Sequence, residues 1–383
     1  MIEITLSDRA EKIRSEIKTW LKSNRPPALS QHADLSEFVE VSRAWQRKLA
    51  EARWVAVHWP EQYGGRGLSL VEEAVIQEEL GKADAPQLIN LFGLTMVGPV
   101  LIEHGSAEQQ QRFLQKILLA EEIWCQGFSE PQAGSDLASL KTQAVQQGSN
   151  WSISGQKVWT SFAQYAQFCF VLARSDQTVP KHKGLTYFLV DMKTPGISVR
   201  PLTQISGDQE FNEVFFEDVK VPGEMIVGKP GDGWKIAIST LMYERVILTF
   251  ARHLQSEKAL AEIVEVLNAR GATALELDRL GRLIANNMAV RTLALSHLVE
   301  YSSGKNPGPE GSLDKLFWSE NFQEISKFAL EILGSAGVLG IGDQALSAEH
   351  RYLYSRGRTI AAGTSEIQRG IIAERVLGLP KGS

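Results

Sequence analysis

The sequence predicts an α+β multidomain fold in which a β domain lies between two helical ones. Three observations predict it. Apolar residues recur at helical spacing up to about residue 122, short β-like runs punctuated by turn residues fill 123–230, and helical spacing returns from there to residue 383. These limits give an N-terminal α-helical domain (1–122), a middle antiparallel β domain (123–230) and a C-terminal domain like a four-helix bundle (231–383). A chain of 383 residues has room for two or three domains.

In the first domain, Ile13, Ile17, Trp20 and Leu21 mark one helix and Phe38, Val41, Trp45 and Leu49 a second, with Pro26-Pro27 separating them. The turn-rich stretch from Trp59 to Gly67 ends at Ser69, which with Glu72 reads as a capping box for a helix to about Gly81. A further helix is predicted over 91–104, and another begins at Ser106-Ala-Glu-Gln, again in cap-like order. The β-like runs are Trp151–Trp159, Phe168–Ala173, Leu185–Met192, Ile197–Leu202 and Val214–Val221. Turn signals at Gly155, Pro195-Gly196, Ser206-Gly207-Asp208 and Pro222-Gly223 separate them at the spacing of a small antiparallel sheet or barrel. Residues 231–255 then read as a helix entered through a glycine turn, and Ser302 to Gly311 as a loop joining two long helices.

The 231–255 helix is apolar over most of its circumference, which predicts burial on most sides. Glu244 interrupts one of its stripes, between Leu241 and Leu248, where a carboxylate is costly to desolvate without a reason. Two readings stand side by side. Either Glu244 pairs with an arginine from another segment, or burial tunes it as a proton acceptor near neutral pH. Neighbouring Arg245 is about 100° round the helix and is not automatically its partner.

Bulk properties exclude several classes. Lys+Arg 40 against Asp+Glu 45 gives a net charge of −5 with no long basic block, which argues against nucleic acid as a partner. The N-terminus lacks the basic-then-apolar order of a secretion signal and no run of about 18 apolar residues occurs, so no membrane insertion and a cytoplasmic location are expected. Cys125 and Cys169 stand in apolar surroundings without metal-ligand spacing, which predicts reduced core residues and no metal site. A nicotinamide-type Gly-x-Gly-x-x-Gly opening after a strand is absent.

Gly127-Phe128-Ser129-Glu130-Pro131-Gln132-Ala133-Gly134-Ser135-Asp136 resembles the segment of the acyl-CoA dehydrogenase family that lines the junction of flavin and acyl thioester. Lys157-Val158-Trp159-Thr160-Ser161 is similar to the family segment that lays a Trp along the flavin ring and points a hydroxyl at its reactive nitrogen. Ala362-Gly363-Thr364-Ser365-Glu366-Ile367-Gln368-Arg369 resembles the family's last helix, where Ser365 and Gln368 have capping-box spacing and a helix N-terminus suits a phosphate. The resemblance spans nearly the whole chain. It implies FAD as cofactor, with Phe128, Ser129, Ser135, Trp159, Ser161, Gly334, Thr364 and Glu366 as contacts, and Ser135, Tyr243, Arg245, Ala362 and Gly363 facing the substrate.

Many relatives carry the catalytic Glu immediately before the Gly-Thr of the last segment, but this chain has Ala362. A branch that includes isovaleryl-CoA dehydrogenase places it on the first helix of the C-terminal domain, followed by Arg, and Met242-Tyr243-Glu244-Arg245-Val246 matches. The resemblance therefore implies that Glu244 removes the α-proton of an acyl thioester while the β-hydrogen leaves as hydride to flavin N5. It further implies that the flavin 2′-hydroxyl and the backbone N–H at Ala362 hold the thioester oxygen. Two flavin-site segments depart from the family. The Arg-x-x-Phe-Gly by which a neighbouring subunit grips FAD is not recognisable between about 255 and 300, and Gln-x-x-Gly-Gly-x-Gly appears as Glu331-Ile332-Leu333-Gly334-Ser335-Ala336-Gly337.

The implied partners are an acyl thioester on coenzyme A or on a carrier protein, and an electron acceptor, either electron-transfer flavoprotein or oxygen. A homotetramer or homodimer is the family's usual assembly. Two alternatives follow from the same residues: an oxidase of prolyl- or acyl-carrier-protein thioesters, and a non-catalytic or half-site subunit of a heteromeric acyl-CoA dehydrogenase.

Overall fold

A computed structural model of the chain describes residues 7–29, 34–303 and 308–380; of residues 244–251 and 344–345 it describes the backbone only. The element order is helical, then β, then helical. Helices α1 (Asp8–Ser23), α2 (Leu35–Glu51), α3 (Leu70–Lys82), α4 (Gly98–His104) and α5 (Ala107–Leu118) come first. Strands β1 (Trp124–Gly127), β2 (Gln143–Gln147), β3 (Asn150–Lys157), β4 (Phe168–Arg174), β5 (Leu185–Asp191), β6 (Ile197–Leu202), β7 (Phe211–Pro222) and β8 (Ile226–Val227) follow. Helices α6 (Gly233–Arg270), α7 (Ala274–Ser302), α8 (Gly311–Val338), α9 (Asp343–Arg358) and α10 (Ser365–Ile371) complete the chain. The predicted helix over 91–104 is divided, with a wider π turn over Gly93–Val97 leading into α4. Ser106 and Gln109 form the predicted capping box of α5, each side chain bonding the other's backbone N–H.

The chain packs as two compact units. One comprises the described residues of Ser15–Ser69 and Ala83–Glu244, the other those of Met1–Arg14, Leu70–Lys82 and Arg245–Ser383. The division falls within α6, between Glu244 and Arg245.

In the first unit the strands form one sheet in the order β6-β7-β3-β2-β4-β5-β8, with β1 pairing β4. Most pairings are antiparallel as predicted, but β4 runs parallel to β1 and β2. That parallel pairing places Cys125 beside Cys169 in register; both are free and fully buried. Strands β4 and β5 are almost wholly buried, which is why they read as continuous apolar runs rather than alternating ones. Helices join the sheet through buried amides. Asn90 Nδ2 donates to the carbonyls of Ile117 and Glu122, its Oδ1 accepts from Trp124 N at 2.9 Å, and Gln46 donates to the carbonyls of Ile117 and Leu118. β1 is thereby set against the helical layer, and its C-terminal end opens the first functional loop.

The second unit centres on α3, whose buried side chains include Glu72, Glu73, Glu78 and Glu79. Buried carboxylates need partners. Glu72 pairs with Arg9 at 2.7 Å, and Glu79 with Arg14 and Lys82. Glu78 receives Arg291 Nε at 2.6 Å and Arg14 at 3.2 Å, with His253 at 3.5 Å. Burial alone would raise the Glu78 pKa, but hydrogen bonds from His253 and Arg291 outweigh it and bring the carboxyl down to about 2 from 4.5. The sign follows directly. A carboxyl depressed on folding stabilises the fold fully above pH 4.5, and the contribution is lost as pH falls toward about 2. Glu78→Gln is therefore expected to lower stability near neutral pH by about 3 kcal/mol, since it leaves cations unpaired. Urea unfolding should show that difference shrinking in acid through this window.

Candidate active site

β1 ends at Gly127, where a Cβ would lie 2.9 Å from Cys169 Sγ, so only glycine lets the chain turn here against β4. The following loop is held from beneath by a buried ion pair. Lys157, at the end of β3 and 0% exposed, donates from Nζ to Glu130 Oε1 at 2.8 Å and to the Phe128 carbonyl at 3.0 Å. Glu130 also accepts from the backbone N–H of Lys141 (2.6 Å) and Thr142 (2.8 Å). Burial would raise the Glu130 carboxyl, but Lys157 holds it below the usual range; burial lowers the Lys157 ammonium, against the pull of Glu130. Val158 N donates to the Ser129 carbonyl at 2.9 Å, a second tie between the two segments. Phe128, Ser129, Trp159 and Ser161 thus belong to one braced pair of loops, while Ser135 stands exposed farther along the first.

Thr160 is clamped on both sides by fully buried Asn212, its N–H donating to the Asn212 carbonyl at 3.0 Å and its carbonyl accepting from Asn212 Nδ2 at 2.9 Å. With Thr160 fixed, Trp159 is held at φ 61° and its ring is 58% exposed, edge-on to Phe211 at 5.9 Å between centroids. So exposed, Trp159 is no core residue, and its left-handed backbone is one that its surroundings must impose. The hydroxyls of Ser129 and Ser161 have no hydrogen-bond partner among the described residues, and Thr160 Oγ1 is buried without one.

On the same unit, the Tyr243 hydroxyl donates to Glu103 at 2.8 Å; burial, then this carboxylate, pushes the phenol pKa up. Glu244 and Arg245 follow on the helical backbone of α6, and their side chains lie outside the described residues.

The other unit carries the remaining candidates. Gly334 sits at a kink of α8 at φ 57°, with open space where a Cβ would stand. Ala362 and Gly363 both take positive φ (56° and 93°) in the turn before α10. Thr364, not Ser365, is the N-cap: its side chain accepts from Ile367 N. Gln368 therefore does not complete a capping box with Ser365. Its Nε2 donates to the Ala362 carbonyl at 2.7 Å, and Lys315 Nζ donates to the Gly363 carbonyl at 2.6 Å. The N–H groups of Ala362, Gly363 and Thr364 have no backbone acceptor among the described residues. Glu366 is exposed, its carboxyl held below the usual range by its own backbone N–H and the Thr364 hydroxyl.

Taken unit by unit, the features are an exposed indole with open hydroxyls on its own segment, which suits a flat heteroaromatic group with polar edges, and, on the other unit, a left-handed turn whose N–H groups have no backbone acceptor among the described residues, which suits an anionic or carbonyl oxygen. The comparisons define a flavin-dependent oxidoreductase and identify its kind. Residues 7–121, 125–219 and 231–377 match the models of the acyl-CoA dehydrogenase N-terminal, middle and C-terminal domains. The chain belongs to the acyl-CoA dehydrogenase family, acts as an oxidoreductase on CH–CH groups, and takes FAD as cofactor. It is 40% identical over 379 residues to the acyl-CoA dehydrogenase IpdE1 of Mycobacterium tuberculosis, covering 97% of this chain and 98% of that one. Its structure is similar to that of the Tcur3481-Tcur3483 steroid ACAD (TM-score 0.87, 26% identity, 100% of both chains). It is also similar to that of the ChsE4-ChsE5 complex from Mycobacterium tuberculosis (TM-score 0.84, 28% identity, 100% of both chains).

Sequence reasoning singled out Trp159 and Thr364, passed over Asn212 and Lys315, and named Lys157 and Gln368 without the contacts by which they hold the backbone. Lys157, Asn212, Lys315 and Gln368 act on backbone carbonyls, and no spacing rule reports such a contact. Lys157→Met should leave Glu130 buried and unpaired, lowering stability by about 3–5 kcal/mol. FAD content per chain should fall with it, measured as flavin absorbance alongside urea unfolding.

Proposed function

We propose that this chain is the base-bearing half of a heteromeric acyl-CoA dehydrogenase, in which a second, different chain completes the FAD site. The observation that carries the reading is a selective loss. Phe128, Ser129, Ser135, Trp159, Ser161, Thr364 and Glu366 keep the family's flavin-facing pattern, while the Arg-x-x-Phe-Gly segment that reaches into a neighbour's site is missing and only Gly334 and Gly337 remain of the glycine-rich one. A chain that receives a grip on FAD without returning one suits a mixed assembly. Likeness to the ChsE4-ChsE5 complex, which pairs two named components, supports this over the homotetramer or homodimer implied by the resemblance. Likeness to a steroid ACAD supports a steroid-derived acyl thioester as substrate class.

In this reading Glu244 is the base, as in the isovaleryl-CoA dehydrogenase branch, and Ala362 is the vacated position. Glu244 takes the α-proton, and the backbone N–H of Ala362 holds the thioester oxygen, where enolate charge develops. The chemistry that bound FAD would supply is acceptance of the β-hydride, with an external acceptor such as electron-transfer flavoprotein as the outlet for the electrons. Tyr243, Arg245, Ser135 and Gly363 remain the substrate-facing candidates. The three-domain division at 122 and 230 and a cytoplasmic location belong to the same reading; no helix among the described residues is long and apolar enough to cross a membrane.

The assembly is tested by purifying the chain alone and with candidate second chains encoded beside it. Little FAD per chain alone and full occupancy in a mixed oligomer are expected. A yellow homo-oligomer with one FAD per chain would refute the half-site reading. In the active assembly, Glu244→Gln should slow anaerobic flavin reduction by at least about a hundredfold, with FAD content retained. Near-normal bleaching would remove Glu244 as the base. Offering one acyl group on coenzyme A and on a phosphopantetheinylated carrier protein tests the carrier, with bleaching expected from coenzyme A alone.

A further inference from the structure

We infer that Lys315, together with Gln368, is a positioning residue that sets the amide groups of the 362–364 turn for the thioester carbonyl. The inference rests on the reading of that turn as the carbonyl-holding element. Lys315 stands on α8, is 1% exposed, and spends a hydrogen bond of its ammonium on a backbone carbonyl, that of Gly363, at 2.6 Å. Gln368, fully buried on α10, holds the preceding carbonyl, that of Ala362, at 2.7 Å. Across a trans peptide the carbonyl and the following N–H point in opposite directions. Pinning the Ala362 and Gly363 carbonyls toward Gln368 and Lys315 therefore turns the N–H groups of Gly363 and Thr364 the other way, and leaves only the Ala362 φ and ψ between the pinned planes and the preceding one, which carries the Ala362 N–H. The turn needs such support. Ala362 is a non-glycine residue at φ 56°, a conformation that costs free energy unless its surroundings impose it.

The space supports the same conclusion. A Cβ at Gly363 would lie 2.5 Å from Gln368 Nε2, so a side chain there would displace the amide that holds the turn. Lys315 brings charge as well as geometry. It helps hold the Glu366 carboxyl below its usual range, behind the carboxyl's own N–H and the Thr364 hydroxyl, so its field reaches the start of α10. A buried positive charge behind an oxygen-holding turn favours the state in which that oxygen carries enolate charge.

The test uses the FAD-loaded assembly with Lys315→Met, Lys315→Arg and the parent. Two inert ligands are compared: a non-oxidisable acyl-CoA analogue that keeps the thioester carbonyl, and a thioether analogue that lacks it. Lys315→Met should weaken the carbonyl-bearing analogue selectively, leave the thioether unchanged, and slow flavin reduction roughly tenfold to a hundredfold with little change in KM. Amide hydrogen exchange should quicken over 357–371 alone, and Lys315→Arg should recover part of each effect. Equal weakening of both analogues, or exchange raised throughout the unit, would show a merely structural lysine and overturn the inference. Should Lys315→Met fail to fold, Gln368→Leu decides, because it releases the adjoining carbonyl: selective loss of the carbonyl-bearing analogue supports the inference and its absence overturns it. A parent assembly that binds neither analogue overturns the reading of the site itself, whereas a parent that binds both beside an unaltered Lys315→Met overturns this role alone.

Discussion

The two loops expected to face flavin depend on one buried ion pair, Glu130 with Lys157. Two charges away from water are a liability unless every remaining bonding position is used, and here they are used on backbone. The Lys157 ammonium takes the Phe128 carbonyl as well as Glu130, and the Glu130 carboxylate takes the N–H groups of Lys141 and Thr142. One pair thereby fixes the loop after β1, the approach to β2 and the end of β3. A hydrophobic pair of the same volume would fill the space without specifying those three backbone groups. The pair's value lies in registration, and what it registers is the position of Ser129 relative to Trp159.

Much of this was legible in the sequence, and the limits of legibility are physical. Helices α1, α2, α5 and α6 and strands β3 to β7 announce themselves through period, because each buries one face or a continuous apolar run. β1, β2 and β8 do not. They are short, and their pairing with β4, β3 and β5 is set by tertiary partners such as Asn90, whose bond to Trp124 N spans 34 positions. α3 was legible as a helix from its cap, but not the burial of its four glutamates: Arg9, Arg14 and Arg291 come to meet Glu72, Glu78 and Glu79 from elsewhere in the chain, and Glu73 accepts from Gln77. The cap of α10 was misread by one residue for a related reason. Ser365 and Gln368 have the spacing of a capping box, but the left-handed turn at Ala362-Gly363 moves the cap to Thr364 and frees Gln368 for the turn itself.

The functional motifs were more legible than their supports. Gly127 to Asp136, Lys157 to Ser161 and Ala362 to Arg369 are contiguous strings and so can be recognised by their resemblance to the family's segments. Departures from those strings are equally informative. Ala at 362 removes a carboxylate that the chemistry requires from somewhere, and the missing Arg-x-x-Phe-Gly removes a contact that serves a neighbour rather than the chain that bears it. In the proposed reading the two losses differ in kind, one answered within the chain at Glu244 and the other by a different chain. That asymmetry is what favours a mixed assembly over a degenerate enzyme, since a chain that had lost its chemistry would have no reason to keep Trp159 exposed at φ 61° or Ala362 at φ 56°.

A common device links the segments expected to face the ligand. At each, a buried polar side chain is spent on a backbone carbonyl next to a residue in the left-handed region or on a loop beside one. Asn212 holds the carbonyl of Thr160 after Trp159, Lys157 that of Phe128, Gln368 that of Ala362, and Lys315 that of Gly363. The logic follows from what flavin chemistry asks of a protein. The cofactor supplies the electron transfer, so the chain must supply direction: a flat ring, a few N–H groups, one base, and little water. Backbone N–H groups have no rotamers of their own and can be aimed only by fixing the carbonyls on the far side of their peptide planes. Buried ammonium and amide groups do this with the least freedom, because leaving them unsatisfied costs more than any local rearrangement gains. The strain at Trp159 and Ala362 is then a consequence of aiming, and the polar side chains beneath them are what makes that strain sustainable.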